Sequence, residues 1–204
     1  MKKNNLKIKI YKAIFYTLLM VAIVVIGMIS YKYICECVNE KESQDAITAF
    51  SNIDFSENVE ESKEQLEYKG YKIIGIVKIP KINIEYPILD IGDIDPESAK
   101  APMKISIIKY WGENVNDYGN LSIAGHNNKS GTMFGKTKNL KNGDIVELTD
   151  LTGQTIQYSI YSIFVTDPND VSILLPKEEK IREVTLITCT NGNKQRLILK
   201  AREI

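Results

Sequence analysis

The sequence predicts a mostly β domain that follows one membrane-spanning helix. An uncharged, apolar run occupies residues 13–31, and beyond residue 70 short runs of apolar residues alternate with polar ones. Alternation with a period of two over several short runs is typical of half-buried antiparallel strands. Such strands suit a closed barrel or a sandwich, and periodicity alone does not choose between the two.

The first 31 residues have the charge pattern of a membrane anchor. Residues 1–12 carry five lysines and no acid. At about 1.5 Å per helical residue, the apolar run 13–31 nearly spans a hydrocarbon core of about 30 Å. Acidic residues follow the run, so the positive-inside rule predicts a cytoplasmic N-terminus and an extracellular remainder. A cleaved signal peptide is the alternative, although no Ala-x-Ala-like site follows the run.

Residues 32–69 are polar and acidic, with Glu57, Glu60 and Glu64 near their end. Because Glu and Lys are good helix formers, we predict a solvated stalk that holds a domain of residues 70–204 off the membrane. Cys35 and Cys37 stand just beyond the predicted span, where a mutual disulfide would be strained. Ordinary packing and an interchain linkage both stay open for them.

Within residues 70–204 the predicted strands are short. Ile82 to Ile88 and Ile156 to Ile160 alternate apolar with polar residues, and 144–148 reads as another strand. Thr132 to Leu140 is predicted to form one small helix.

Composition excludes two classes of function. The formal net charge is zero and residues 70–204 contain no basic cluster, whereas binding to nucleic acid phosphates needs concentrated Lys and Arg. A single histidine and a cysteine distant from the other two do not supply the three or four ligands of a zinc site. We therefore expect no nucleic acid partner, no metal and no other cofactor.

Three side chains predict nucleophilic chemistry at one site. His126 is the only histidine, and Cys189 is the only cysteine outside the membrane-proximal stretch. A thiol is nucleophilic as thiolate, and an imidazole can favour that form and protonate a leaving amine. Arg196 offers a guanidinium that stays charged and can stabilise an oxyanion. Only three of the 26 basic residues are arginines, and the rest are lysines. We therefore expect that position 196 needs the planar geometry of a guanidinium.

Strand periodicity predicts that Cys189 and Arg196 approach each other. Cys189 ends a strand, and Arg196 begins the next on the face opposite Leu197 and Leu199. Between them, residues 190–195 form a turn-rich loop of the kind that closes a hairpin. Arg196 is therefore predicted to point away from the core and towards the cysteine strand.

Together these residues resemble the sortases, membrane-anchored cysteine transpeptidases of Gram-positive bacteria. Thr185-Leu-Ile-Thr-Cys189 is similar to the family's Thr-Leu-x-Thr-Cys signature, and Leu121 to Asn127 resembles its histidine strand end. Arg196-Leu-Ile-Leu resembles the arginine strand, and Gly75 to Ile88 resembles the opening pair of strands. The resemblance covers roughly residues 70–204 and keeps His, Cys and Arg in the family's order.

The resemblance implies a closed β-barrel with short helices and three catalytic residues, His126, Cys189 and Arg196. It also implies that Thr188 contacts substrate. The implied reaction cuts a Leu-Pro-x-Thr-Gly-like sorting signal, holds the surface protein as a thioester and transfers it to a peptidoglycan precursor or another amine acceptor.

The subclass stays open. The step from Cys189 to Arg196 is shorter than in many class A sortases, residues 166–183 lack the class B helical insertion, and no class C lid precedes the first strand. Wall anchoring of the housekeeping or class D type is expected before pilin polymerisation. A membrane-tethered binding module without turnover, an L,D-transpeptidase and a peptidase are the alternatives.

Overall fold

The structure of the protein, a computed structural model, describes residues 2–51, 66–92, 99–175 and 180–204. It divides into two compact units, Met1–Lys41 and Glu42–Ile204. The acidic cluster near the end of the predicted stalk lies outside the described residues. The second unit begins before residue 70, because the last turns of the N-terminal helix contribute Ile47 to an apolar cluster of the barrel.

The N-terminal helix, α1, runs over Lys2–Ser51. Among the described residues, its stretch Lys7–Asp45 is the one helix long and apolar enough to cross a membrane, and its 18-residue apolar window has a mean hydropathy of 2.5. Large side chains along it, such as Leu18 and Ile26, are exposed, as contact with lipid requires. The prediction of one N-terminal apolar helix is confirmed, and its orientation stays a prediction.

Strand pairing closes the sheet of the second unit into a barrel. The strands are β1 (Glu67–Tyr68), β2 (Tyr71–Ile79), β3 (Ile84–Asp90), β4 (Ile107–Gly112), β5 (Gly119–Ala124), β6 (Ile145–Asp150), β7 (Thr155–Thr166), β8 (Arg182–Thr190) and β9 (Gln195–Glu203). The described residues form one sheet in the order β1-β2-β3-β4-β5-β8-β9-β7-β6, and β2 also pairs with β6. That last pairing leaves eight strands in a closed barrel with β1 attached to β2, so the predicted barrel is confirmed.

Short helices occupy the connections. Helix α2 (Lys100–Met103) leads into β4, and 3₁₀ turns form at Pro80–Ile82, Thr137–Asn139 and Val171–Leu174. The helix predicted over residues 132–140 is wrong, since only Thr137–Asn139 is helical. Met133 has a φ of 50°, in the left-handed region. A right-handed helix does not contain such a residue, so no helix runs through residue 133.

Side chains of β8 and β9 pack into two separate apolar clusters. Val184 and Leu199 lie in the barrel interior, to which all eight barrel strands contribute. Ile187 and Ile198 face outwards into a second cluster, which covers the outer face together with Ile173. The alternation predicted for these strands is therefore observed, and both of their faces are covered along this stretch.

A buried ion pair joins β8 to β9 on the outer face. The Lys200 ammonium donates to the Glu183 carboxylate at 2.9 Å, and both side chains are at most 5% exposed. The Tyr161 hydroxyl donates to the same carboxylate at 2.6 Å, and Arg202 Nε lies 3.3 Å from it. Burial alone would raise the pKa of Glu183, but the hydrogen bonds from Tyr161 and Lys200 outweigh it and hold that pKa below its ordinary value.

Replacing Lys200 by Met tests this ion pair. The change leaves the buried Glu183 carboxylate with fewer partners, so we expect the free energy of unfolding to fall by about 2–4 kcal/mol. Urea unfolding of the full chain in detergent measures it. Lys138→Met, at an exposed lysine, is the control and should change stability by less than about 0.5 kcal/mol. Equal stability of the two variants would contradict the assignment.

Candidate active site

The parallel pairing of β5 with β8 ends two residues before both His126 and Cys189. The last paired residues are Ala124 and Ile187, and the Gly125 amide donates to the Ile187 carbonyl at 3.1 Å. An extension of that register by two residues would set His126 opposite Cys189. The two groups therefore emerge at the same end of the barrel from neighbouring strands.

The antiparallel pairing of β8 with β9 places Arg196 beside Cys189 on the other side. The two residues are direct partners in the ladder, as the sequence predicted, so their side chains lie on one face of the sheet. The intervening turn contains three consecutive left-handed residues, Asn191, Gly192 and Asn193. The Arg196 guanidinium donates to the carbonyls of Asn193 and Gln195 at 3.2 and 3.3 Å, and so lies against its own hairpin.

Two side-chain hydrogen bonds extend the β5–β8 pairing towards the site. The Thr188 hydroxyl donates to the Gly125 carbonyl at 2.7 Å, and the Asn127 amide donates to the Cys189 carbonyl at 2.8 Å. Thr188 is 2% exposed, and its donor is used within the protein. A substrate contact through Thr188 stays a prediction, and it would use the oxygen lone pairs of the hydroxyl.

Close packing fixes the backbone in front of His126. A Cβ on Gly125 would lie 2.9 Å from the Phe134 ring and 3.1 Å from Ile107, so glycine is required there for steric reasons. The Phe134 amide donates to the His126 carbonyl at 3.0 Å, and the Phe134 side chain is fully buried. The loop after β5 is thus folded back onto the histidine.

Burial sets the protonation of His126. Desolvation of the half-buried ring lowers the pKa of His126 below its ordinary value, and the positive charge of Lys104 lowers it further. Lys104 directly follows α2 and precedes β4, the strand that pairs with β5. The imidazole is therefore mostly neutral at neutral pH.

A cavity of about 360 Å³ opens beside the thiol. Thr188, Cys189 and Arg196 line one wall, and Ala124 and Ile187 from the outer face of the barrel also line it. The remaining walls come from α2 and from the β7–β8 connection. An apolar cleft with a few polar groups at one end is the usual form of a site for a small ligand or peptide segment.

The β7–β8 connection forms one wall of this cavity, and we predicted no role for it from the sequence. The Asp170 carboxylate accepts from the Ser172 amide at 3.0 Å and from the Thr166 hydroxyl at 2.6 Å, which caps the turn Val171–Leu174. The Asn120 amide donates to the Leu174 carbonyl at 2.9 Å and fastens the turn to the barrel. The Asp-x-Ser spacing is a capping signal that can be recognised in the sequence. The sequence does not show that the capped turn lies beside Cys189.

At one end of this barrel a cysteine and an arginine are direct ladder partners, and a histidine follows the end of the neighbouring strand. Residues 77–204 match the family model of the Sortase domain, more than half of the chain. The chain therefore belongs to the sortase family.

Three relatives illustrate the similarity. Sortase A of Staphylococcus aureus is 28% identical over 147 residues, 71% of this chain and 68% of that protein. Sortase D of Bacillus subtilis is 35% identical over 116 residues, 56% of this chain and 53% of that protein. The structure of a sortase D5 transpeptidase from Clostridium perfringens superposes with a TM-score of 0.64 at 30% identity, covering 80% of this chain and 99% of that one.

The single histidine makes the pKa of His126 directly measurable. In full chain carrying ¹³C-labelled histidine, an NMR titration should give a midpoint below about 6.5, the value of an unperturbed histidine. Lys104→Gln removes a positive charge and should move the midpoint upwards, whereas Lys138→Gln should leave it unchanged. A midpoint at or above the unperturbed value would contradict the effect of burial.

Proposed function

We propose that this chain is a cysteine transpeptidase that cleaves a Leu-Pro-x-Thr-Gly-like sorting signal and joins the surface protein to an amine acceptor. One observation carries the proposal: the strand register makes Cys189 and Arg196 direct partners beside a cavity, and His126 follows the end of β5, the neighbouring strand. Membership of the sortase family supports the same reaction.

In the first step the Cys189 thiolate attacks the carbonyl carbon of the peptide bond between Thr and Gly. The carbonyl oxygen becomes an oxyanion, and the Arg196 guanidinium stabilises it after leaving the carbonyls of its hairpin. Protonated His126 gives its proton to the departing glycine amine. The C–N bond breaks, and the surface protein remains on the enzyme as a thioester.

In the second step an amine attacks the thioester carbonyl. Neutral His126 takes a proton from the incoming amine, a new amide bond forms, and the Cys189 thiolate leaves. Because the pKa of His126 is lowered, its protonated form is a minor species at neutral pH. Only part of the enzyme then holds the protonated His126 that the departing amine needs, and the first step is slow.

We assign the acceptor to the cell wall rather than to a pilin. Identities of 35% and 30% with two D-type sortases support a class D-like member that anchors surface proteins. The peptidoglycan precursor then supplies the amine. Pilin polymerisation would instead use a lysine side chain, and a panel of acceptors separates the two.

The proposed placement follows from α1. Residues 1–12 lie in the cytoplasm, residues 13–31 cross the membrane as a signal anchor, and residues 32–69 connect to the extracellular catalytic domain of residues 70–204. The lysines before the apolar helix and the acids after it support this orientation. Protease digestion of intact cells would remove the barrel and leave the N-terminus protected.

Mass spectrometry of the full chain in detergent tests the proposed reaction. We expect a sorting-signal peptide to add its acyl part to the Cys189 peptide, and an amine acceptor to convert the adduct to a ligated product. Cys189→Ala should form neither. A folded chain with a reduced Cys189 that acylates with no peptide of a broad panel would favour a binding module.

The role of Arg196 is tested by a pair of substitutions. Arg196→Ala should lower kcat for acylation by about 10²- to 10³-fold, because it removes the oxyanion donor. Arg196→Lys keeps the positive charge but loses the planar guanidinium. Its kcat for acylation should therefore lie between those of the wild type and Arg196→Ala. Arg202→Lys, on the same face but distant from Cys189 along β9, is the control. Activity of Arg196→Ala equal to that of the control would refute the role.

A further inference from the structure

We propose that Asn127 is a positioning residue, which holds the end of the cysteine strand against the histidine segment. The inference rests on the proposed function, because it concerns the spacing of two groups in that reaction. Its basis is one contact: the Asn127 side-chain amide donates to the Cys189 carbonyl at 2.8 Å across 62 residues of sequence.

The contact lies where the backbone ladder stops. The paired residues of β5 and β8 end at Ala124 and Ile187, and one further backbone bond joins Gly125 to Ile187. Beyond that point, the hydroxyl of Thr188 and the amide of Asn127 supply the connections. Both reacting groups, on His126 and Cys189, therefore emerge where side chains rather than ladder bonds set the distance between the strands.

The position of Asn127 makes it suited to orientation rather than to stability. The side chain is exposed, so water replaces the hydrogen bond when the amide is removed, and little folding free energy is lost. The same loss leaves the end of the cysteine strand paired on the β9 side alone, and the orientation of the Cys189 peptide unit determines the direction of the thiol. Small misplacements of reacting groups lower rate constants strongly, which is the effect expected here.

The backbone of Asn127 is itself held in place. Asn127 forms an isolated bridge with Met133, and the Phe134 amide bonds the His126 carbonyl. The donor is therefore presented from a fixed loop. Asn128, the next residue, instead donates to the Thr132 hydroxyl at 2.8 Å within that loop and makes a matched control.

The test compares Asn127→Ala with Asn128→Ala in the full chain in detergent, by acylation kinetics with a sorting-signal peptide. Asn127→Ala should lower kcat about tenfold with KM within about twofold, because substrate binding is retained while orientation is lost. Asn128→Ala should stay within about twofold in both. Equal kinetics of the two variants, or a loss confined to KM, would overturn the proposal.

Asn127→Asp tests the hydrogen bond within one folded protein. An ionised carboxylate only accepts, so it repels the Cys189 carbonyl, whereas the protonated acid donates to it. Relative to wild type at each pH, kcat of this variant should rise several-fold from about pH 7 to about pH 4.5, as its carboxyl protonates. A flat or falling ratio would show that donation to Cys189 is not what Asn127 supplies.

A second readout separates this inference from the proposed function. If the wild-type chain forms no thioacyl adduct, the rate at which iodoacetamide alkylates Cys189 tests the positioning role instead. Because Cys35 and Cys37 are also free thiols, this rate is measured on the proteolytic peptide that contains Cys189. Asn127→Ala should slow the alkylation about threefold or more at neutral pH, since the thiol is oriented less well towards the neutral imidazole that accepts its proton. Equal rates for Asn127→Ala and Asn128→Ala would reject the positioning role.

Discussion

The register of β8 against its two neighbours is the constraint on which the site depends. The parallel pairing with β5 sets the histidine segment opposite Cys189, and the antiparallel pairing with β9 makes Arg196 its direct partner. A shift of one residue in either ladder would turn the corresponding side chain to the other face of the sheet. The ladder hydrogen bonds therefore set which residues reach this end of the barrel, and the side-chain bonds of Thr188 and Asn127 continue the β5–β8 contact beyond the ladder.

Burial on both faces of β8 secures that register. The inner face packs in the barrel, the outer face packs under the second apolar cluster, and Glu183 forms its ion pair with Lys200. The outer cluster has a second use. Ile187 and Ala124 belong to it and also line the cavity beside Cys189, so the same covered surface that fixes the strand shapes the wall of the candidate substrate site.

The sequence predicted the barrel strands and the site for local reasons, and it missed what depends on distant contacts. Alternation located the strand ending at Cys189 and the hairpin to Arg196, because both are encoded within a few residues. The choice of barrel over sandwich rests on the pairing of β2 with β6, which joins segments about 70 residues apart. The helix expected over residues 132–140 failed because Met133 takes a left-handed conformation in a loop folded onto His126.

The positions of Asn127 and of the Val171–Leu174 turn show the same limit. The sequence does not show which residue the Asn127 amide contacts, or that the Val171–Leu174 turn lies beside Cys189. Both contacts form only when the fold brings β5, β7 and β8 together. By contrast, His126, Cys189 and Arg196 were predicted from their chemistry, their scarcity in the chain and the resemblance of their motifs to those of sortases, and their catalytic roles stay a prediction.

The most direct test of this account is a crystal structure of the protein joined covalently to a sorting-signal peptide analogue that carries a thiol-reactive group. We predict a bond from Cys189 Sγ to the peptide in the described cavity, with Arg196 turned from the carbonyls of its hairpin to the peptide and His126 on the other side of the sulfur. A peptide bound elsewhere, or an Arg196 still held by Asn193 and Gln195, would contradict it.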